Sequence, residues 1–374
     1  MPQEWLTSTI GKFAAEVLTE GGSYSLFGFP SHGEVRRKRT TKDLWEEETM
    51  KHLLGSLAAA AMLSVSPAFA ETTLRITLQL PLASHLGQNL LMFKEEVEAN
   101  SDIKVEIYDS AQLYRDNEVP EAVGAGEIEM GVASLTRYVG EIPAVDIFYM
   151  PFVLNTEEKV RAAVAPGSPV RDPIDAAIRE TGAHVLWWQA YGGSVLLSKD
   201  EPLRGPEDME GKKARVFGKW LGEWVSVLGG APTLISGSEQ FLAYQRGTVD
   251  IGMTGVSGVV SRKLWEVMDA ITVVNNADIE FLVVINEDVW EGLSEEQRNV
   301  LTRAARNAET AVRDYMSEFE ADAFKQAEAN GMTVYYPSDE EIARWKEASA
   351  PVIDAWLAES GDLGRQLLDA AENF

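Results

Sequence analysis

The chain has 374 residues, 45% of them hydrophobic, which is enough for one large or two medium domains with buried cores. Its 59 acidic residues outnumber its 33 Lys and Arg, and the net charge of -26 excludes nucleic acid and anionic lipid surfaces as partners. The absence of cysteine excludes disulfides, thiolate metal sites, cysteine nucleophiles and a lipid-modified amino-terminal cysteine.

A secretory signal peptide is predicted at residues 50–70. Lys51 gives a short basic start, an apolar stretch runs from Leu53 to Val65, and Ala68-Phe69-Ala70 supplies an A-x-A cleavage site. The apolar stretch is shorter than the roughly 20 residues that a membrane-spanning helix needs. We therefore expect a periplasmic mature protein that begins at Glu71. The alternative interpretation of the apolar stretch is a buried core helix.

Residues 1–49 differ in composition from the rest and are predicted to be a non-native upstream extension. A basic run, Arg36-Arg37-Lys38-Arg39, precedes the acidic triplet Glu46-Glu47-Glu48. A purine-rich ribosome-binding sequence read in frame would encode such glutamates, so we expect translation to start at Met50. The alternative is a twin-arginine export signal at Arg36-Arg37, which the acidic residues before the apolar stretch disfavour.

The first part of the mature chain alternates between strand and helix patterns. Apolar residues alternate from Leu74 to Leu78, and Ser84 is placed to cap a helix with Leu86, Leu90, Phe93 and Val97 on one face. Further along lie a strand at 103–107, a helix at 117–126 and a strand at 128–133. This alternation predicts an α/β fold with a mostly parallel sheet covered on both faces.

The second part repeats the alternation and adds one long helix. Strands are predicted at 185–188, 195–197, 214–216 and 281–285. Between Leu293 and Gly331 the apolar residues keep helical spacing throughout, which predicts a single long helix. Periodicity allows this helix either to brace two lobes or to cover the surface of one.

Catalytic motifs are absent from the sequence. His85 and His184 are the only histidines of the expected mature chain, and no H-E-x-x-H, G-x-S-x-G or glycine-rich phosphate loop occurs. We therefore expect no catalytic residue, no metal and no cofactor. A periplasmic hydrolase is kept as a remote alternative.

Several segments together resemble one family of transport proteins. In order, they are Gly126-Glu127-Ile128-Glu129-Met130-Gly131, Phe148-Tyr149-Met150-Pro151-Phe152, Asp208-Met209-Glu210-Gly211-Lys212-Lys213-Ala214-Arg215-Val216 and Tyr244-Gln245-Arg246-Gly247-Thr248-Val249-Asp250. Behind a signal peptide, they resemble the solute-binding subunits of tripartite ATP-independent periplasmic (TRAP) transporters, of DctP type. The resemblance extends along almost the whole mature chain.

The resemblance implies a two-lobed periplasmic-binding-protein-like fold, with a ligand cleft between the lobes and a long helix that spans both. Lobe I would comprise 71–193 plus 281–320, and lobe II 194–280 plus 321–374. It also implies hinge closure on the ligand and delivery to the small and large integral-membrane subunits of a permease that an ion gradient drives.

The resemblance further assigns candidate binding residues. Arg215 is the predicted carboxylate anchor, because its guanidinium offers a planar fork of donors that matches a carboxylate. Gln79, Ser134 and Thr254 occupy other family pocket positions. Val195 stands where sialic-acid-binding relatives have a second arginine, which argues against sialic acid and leaves one cationic anchor.

Aromatic residues near Arg215 bear on the class of ligand. Tyr191 and Trp220 are predicted to form walls of the cleft, where aromatic rings suit compact apolar or quaternary-ammonium groups. The expected ligand is a small organic acid. The alternative is a zwitterion or amine, such as an ectoine- or ethanolamine-like compound.

Amino-terminal sequencing of the exported protein tests the predicted processing. We expect Glu71 as the first residue, because the small side chains at Ala68 and Ala70 fit the signal peptidase. An amino terminus upstream of Met50 would contradict both the start site and the signal peptide.

Overall fold

The computed structural model describes residues 72–374. The predicted upstream extension, signal peptide and cleavage before Glu71 lie outside the described residues. The strands are β1 (Thr72–Thr77), β2 (Ile103–Tyr108), β3 (Met130–Ser134), β4 (Ala183–Ser198), β5 (Lys213–Val216), β6 (Ala231–Leu234), β7 (Ile251–Gly255), β8 (Ala270–Thr272), β9 (Asp278–Asn286) and β10 (Thr333–Tyr335).

Helices alternate with these strands, as the sequence predicts. They are α1 (His85–Asn100), α2 (Val119–Gly124), α3 (Glu157–Val164), α4 (Arg171–Arg179), α5 (Lys219–Val227), α6 (Gln240–Gln245), α7 (Val256–Ser261), α8 (Glu287–Gly292), α9 (Glu295–Ala329) and α10 (Asp339–Glu372). Short 3-10 helices span Leu135–Tyr138, Pro143–Tyr149, Pro206–Met209, Gly237–Glu239 and Leu264–Glu266. Within residues 72–374, none of the helices has the length and apolar character that crossing a bilayer requires.

The strands form two α/β halves that share β4. The order is β2-β1-β3-β9-β4-β7-β5-β6, and β8 pairs with both β4 and β10. The segment Ala183–Gly193 of β4 pairs with β9, whereas Ser194–Ser198 pairs with β7. The chain therefore passes from one half to the other at Gly193 and Ser194, and returns between β8 and β9. The predicted passage at 193/194 lies at this junction, and the lobe boundaries as a whole stay a prediction.

The prediction of a mostly parallel sheet is right for the outer strands and wrong for the central ones. β1 is parallel to β2 and β3, and β5 is parallel to β6 and β7. β9 runs antiparallel to β3 and β4, and β4 runs antiparallel to β7. The separately predicted strands at 185–188 and 195–197 are one strand, because β4 continues through register shifts on either side of Trp188.

Helix α1 packs one apolar face against the first half. Ser84 caps it as predicted, since its side chain accepts a hydrogen bond from the backbone N–H of Gly87 at 3.1 Å. Leu90, Phe93 and Val97 are fully buried in the main hydrophobic core. The helical spacing of these apolar residues therefore corresponds to burial on a single face.

The long helices α9 and α10 contact both halves. Near its middle, α9 accepts a hydrogen bond at the Ala308 carbonyl from Asn89 of α1, at 2.7 Å. Towards its end, Ala323 and Ala327 belong to a second hydrophobic cluster with Val195 of β4. The sequence predicts α9 within two residues at each end, and its packing on both halves agrees with the role that the family resemblance implies.

Helix α10 joins the halves in a second place. Trp356 Nε1 donates to the Pro143 carbonyl at 3.0 Å, and Trp224 Nε1 of α5 donates to Ser349 Oγ at 2.7 Å. Because Pro143 follows the first-half strand β3 and α5 follows the second-half strand β5, α10 also spans the boundary. Sequence periodicity did not reveal this second bridge.

Replacing Leu90 with Ala tests the assignment of the core. Leu90 has no exposed surface, so we expect a loss of about 2–5 kcal/mol in the free energy of unfolding. Met92 is 40% exposed on the same helix, and Met92→Ala should change it by less than about 0.5 kcal/mol. Urea unfolding followed by circular dichroism measures both variants, and equal losses would contradict the assigned face.

Candidate ligand-binding site

A small cavity lies where the two halves meet. It encloses about 290 Å³ of space that protein atoms do not fill, including its open mouth. The predicted residues that line it are Gln79, Ser134, Tyr191, Arg215 and Thr254. These residues come from β3, β4, β5, β7 and the turn after β1, so only the folded chain brings them together.

Arg215 is a buried cation without an anionic partner. Its side chain extends from β5, the residue is 3% exposed, and it donates hydrogen bonds to two backbone carbonyls, Ile235 at 3.0 Å and Met253 at 2.5 Å. No carboxylate among residues 72–374 pairs with it. Burial lowers the pKa of Arg215 to about 9, and the guanidinium therefore stays charged at neutral pH.

Arg262 supplies a second cation that sequence reasoning missed. It follows α7, lines the same cavity, and donates through Nη2 to Thr254 Oγ1 at 2.9 Å and Tyr191 Oη at 3.0 Å. No carboxylate within the described part of the chain pairs with Arg262 either. The prediction of a single cationic anchor is therefore wrong for the geometry of this cavity, because an arginine from a different element takes up a neighbouring position.

A third arginine, Arg137, is neutralised by Asp116. Its Nε donates to Asp116 Oδ2, and both side chains are almost completely buried. The same carboxylate accepts hydrogen bonds from the backbone N–H of Ser134 at 2.8 Å and from its hydroxyl at 3.0 Å. Ser134 therefore lines the cavity, but its hydroxyl already donates to Asp116. Asp116 offsets the charge of Arg137 rather than that of Arg215.

Aromatic rings form part of the wall, but Trp220 does not. Tyr191, Phe217 and Phe281 line the cavity, and the Phe217 ring centroid lies 5.3 Å from the guanidinium carbon of Arg215. Trp220 is buried in the first turn of α5, outside the lining. Helix α5 starts at Lys219, so the chain leaves the strand direction before Trp220, and Phe217 takes the position beside Arg215.

The histidines considered for a hydrolase also lie outside the lining of this cavity. His85 is buried behind Tyr191, with a ring-centroid separation of 5.3 Å, and its Nε2 lies 3.2 Å from the Ala190 carbonyl. Burial lowers the pKa of His85 to about 4. His184 stacks on Trp290 at the far end of β4. Neither histidine therefore shares a site with Ser134 or Arg215.

The two halves touch around the cavity. Ser236 Oγ donates to Gln79 Oε1 at 3.3 Å, which links the turn after β1 to the segment after β6. A Cβ atom on Gly218 would lie 2.5 Å from Thr136 Oγ1, so only glycine fits where α5 begins. Asp146 accepts a hydrogen bond from Thr136 Oγ1 at 3.1 Å through Oδ2, and its Oδ1 is buried without a partner. These contacts hold the halves together over the cavity.

The residues of this cavity that the sequence did not predict have no recognisable motif around them. Arg262, Arg137 and Asp116 belong to no segment that carries the family resemblance. Because many charged side chains are exposed, a lone arginine in sequence gives no indication of burial. The one hint in the sequence was that Arg137 follows Ser134 by only three residues. Both therefore lie near the carboxyl end of β3.

Comparisons with known proteins show which proteins this chain resembles. The profile of "Bacterial extracellular solute-binding protein, family 7" matches residues 79–360. The C4-dicarboxylate-binding periplasmic protein DctP of Rhodobacter capsulatus is 27% identical, over 81% of this chain and 93% of its own length. The ectoine-binding periplasmic protein TeaA of Halomonas elongata is 26% identical, over 74% of this chain and 82% of its own.

A solved structure shows the same two-lobed fold. The extracytoplasmic solute receptor DctP7 of Bordetella pertussis, which binds pyroglutamic acid, superposes with a TM-score of 0.76. It covers 80% of this chain and 99% of its own length, at 20% identity. The predicted fold class, two α/β lobes of the periplasmic-binding type, is therefore confirmed.

Asp146→Asn tests the burial of this carboxyl group through the pH dependence of stability. Burial raises the pKa of Asp146 to about 8, well above its usual value near 4. Between about pH 4 and 8 the folded chain then holds a proton that the unfolded chain releases, so this carboxyl lowers stability as pH rises. Asn cannot titrate. From pH 5 to 8 we expect the free energy of unfolding of Asp146→Asn to fall by less than that of the wild type, with a difference of more than about 1 kcal/mol.

Unfolding in urea at both pH values, followed by circular dichroism, measures this difference. Asp354 is exposed on α10, and Asp354→Asn serves as the matched control with wild-type behaviour. An unchanged pH dependence in Asp146→Asn would show that Asp146 is ionised in the folded protein.

Proposed function

The chain belongs to the bacterial extracellular solute-binding protein family 7, and from that premise we propose that it captures a small organic acid in the cavity at Arg215. The single observation that carries the proposal is a buried guanidinium without an anionic partner among the described residues. A buried charge that lacks a counterion is strongly unfavourable, and a bound carboxylate would compensate it.

The donors of Arg215 and Arg262 favour an anion over a neutral solute. Arg215 commits Nε and Nη1 to carbonyls, which leaves Nη2 for a ligand. Arg262 holds Tyr191 and Thr254 in place while it adds positive charge to the same cavity. Each charge-assisted hydrogen bond to a carboxylate contributes roughly 1.5–3 kcal/mol. Two such bonds would supply a large part of the affinity of a small ligand.

The names of relatives support a carboxylate as the common chemical feature. The Rhodobacter protein is named for C4-dicarboxylates, and the Bordetella receptor binds pyroglutamic acid. The Halomonas protein is named for ectoine, a zwitterion, which keeps a zwitterionic ligand as the second candidate. The aromatic walls at Tyr191, Phe217 and Phe281 favour this candidate, because aromatic faces attract cationic groups.

The proposal extends to delivery of the ligand. Family members are receptors, and TRAP receptors work with membrane permease components. We propose that this chain acts in the periplasm and closes around its ligand by a hinge at β4 and β9. It would then pass the ligand to small and large permease subunits that an ion gradient drives. The contact between the halves at Gln79 and Ser236 would then form on closure.

Arg215→Ala tests the proposed anchor after a thermal-shift screen of monocarboxylates, dicarboxylates, zwitterions and amines has found a ligand. Ligand at a hundredfold excess over its dissociation constant should stabilise the folded protein by about 2.7 kcal/mol. For a carboxylate we expect Arg215→Ala to weaken binding by about tenfold to a hundredfold or more, because charge-assisted hydrogen bonds are lost. Arg215→Lys should give an intermediate loss, since it keeps the charge without the planar fork.

Calorimetry measures the affinities, with circular dichroism as the control for folding. Arg365 is exposed and pairs only with Asp362, so Arg365→Ala is a matched control with unchanged affinity. Unaltered carboxylate affinity in folded Arg215→Ala would place the anchor elsewhere. Turnover of a panel compound would favour the hydrolase instead.

A further inference from the structure

A second and larger cavity lies beside the junction of the halves. It encloses about 1180 Å³ of space that protein atoms do not fill, open solvent included, and shares no lining residue with the Arg215 cavity. Its walls are Gly192–Val195 of β4, Asn275 and Asp278 on the return segment, and the face of α9 between Arg313 and Phe324. We call it the hinge cavity, because both crossing segments and the long helix meet there.

Carboxyl groups outnumber cationic side chains in the lining of the hinge cavity, where Glu157 and Arg161 pair with each other. Arg313 of α9 donates from both Nη atoms to Glu280, each at 2.8 Å, so this pair is balanced. Glu320, one of the lining residues, accepts only the backbone N–H of Gly193, at 2.9 Å. Asp278 has no Lys or Arg within ion-pair distance in the described part of the chain. Two carboxyl groups therefore face the cavity without a cation of their own.

Both half-buried carboxyls favour the protonated form. Burial raises the pKa of Glu320 to about 7, against the lowering effect of the Gly193 N–H. Burial raises the pKa of Asp278 well above its usual range, and its neighbour Glu280 raises it further. A nearby cation would favour the ionised form of both groups.

Unpartnered polar atoms at the wall of the hinge cavity point independently to a missing ligand. Ser194 is 0% exposed, lines the hinge cavity, and its Oγ has no hydrogen-bond partner. Asn275 Oδ1, which lines the same cavity, is also buried without a partner. Buried polar atoms almost always have hydrogen-bond partners, so these oxygens require a ligand or solvent. Arg313 Nε is an unpartnered donor there, Asn275 Oδ1 can only accept, and the Ser194 hydroxyl can donate or accept.

The remaining walls of the hinge cavity favour a hydrocarbon group over a bare ion. Val195, Val273, Met316 and Phe324 contribute apolar side chains to the hinge cavity. Its volume also exceeds what one inorganic cation would fill. A ligand with a charged nitrogen and a hydrocarbon part would satisfy the acceptors and bury apolar surface at once.

We propose that the hinge cavity binds a small organic ammonium ion, independently of the acid proposed for the Arg215 site. The nitrogen lies between Asp278 and Glu320, where Ser194 Oγ accepts one of its hydrogens. The hydrocarbon part packs against Met316 and Phe324. This arrangement gives each unpartnered carboxyl a counterion and gives the buried hydroxyl a donor.

Calorimetry of the mature protein with n-butylammonium, in buffered sodium chloride, tests the proposal. We expect saturable binding of one ion per chain and no binding of 1-butanol, which has the same carbon skeleton without the charge. Glu320→Gln and Asp278→Asn should each weaken n-butylammonium about tenfold or more, since each removes a charge-assisted hydrogen bond. Glu318 is exposed on the same helix, and Glu318→Gln should bind as the wild type does.

Other outcomes would overturn the proposal. Absence of saturable binding to the wild type would do so, as would equal weakening by Glu318→Gln, which would indicate attraction to the acidic surface alone. Binding of n-butylammonium only after sodium has been removed from the buffer would identify an inorganic cation site. Loss of binding in Arg215→Ala with retention in Glu320→Gln would place the amine in the other cavity. If Glu320→Gln does not fold, Ser194→Ala, with an expected smaller loss, decides.

Discussion

The buried guanidinium of Arg215 is the constraint on which the cavity between the halves depends. A charge this deeply buried requires compensation, and residues 72–374 supply it through carbonyl dipoles at Ile235 and Met253 and the ring of Phe217. These groups come from three separate segments beside β5, so strand pairing must be complete before the charge is accommodated. Carbonyls orient the guanidinium without neutralising it, and a net positive charge therefore remains for an anion.

Other buried arginines show how different Arg215 is. The other buried arginines are each neutralised by a carboxylate of the protein. The pairs are Arg137 with Asp116, Arg171 with Glu309, and Arg313 with Glu280. Such pairs stabilise the contact between two elements, because removal of one partner would leave the other charge buried without a counterion. Arg215 and Arg262 lack such partners among the described residues, and their charges therefore stay uncompensated by carboxylates in the cavity.

One structural frame serves both cavities. Strand β4 carries Tyr191 into the Arg215 cavity and, directly after it, Gly192 to Ser194 into the hinge cavity. Gly192 has a φ of +94°, and a Cβ there would lie 2.3 Å from Glu320 Oε1, so glycine allows α9 to approach the strand closely. Any movement of the halves about β4 and β9 would therefore alter the surroundings of both cavities together. The two cavities differ in charge because Arg215 and Arg262 line one, whereas Asp278 and Glu320 line the other.

The sequence by itself determined the features that depend on near neighbours. Alternation and helical spacing gave the β-α order, the Ser84 cap and the long helix α9, because these patterns reflect interactions a few residues apart. The family motif pointed to Arg215. Only the tertiary structure decided that Arg262 joins it, that Asp116 neutralises Arg137, that Trp220 lies outside the cavity, and that β4 and β9 run antiparallel. Those outcomes depend on which distant segments pair and on how deeply each charge is buried, and no local spacing encodes either property.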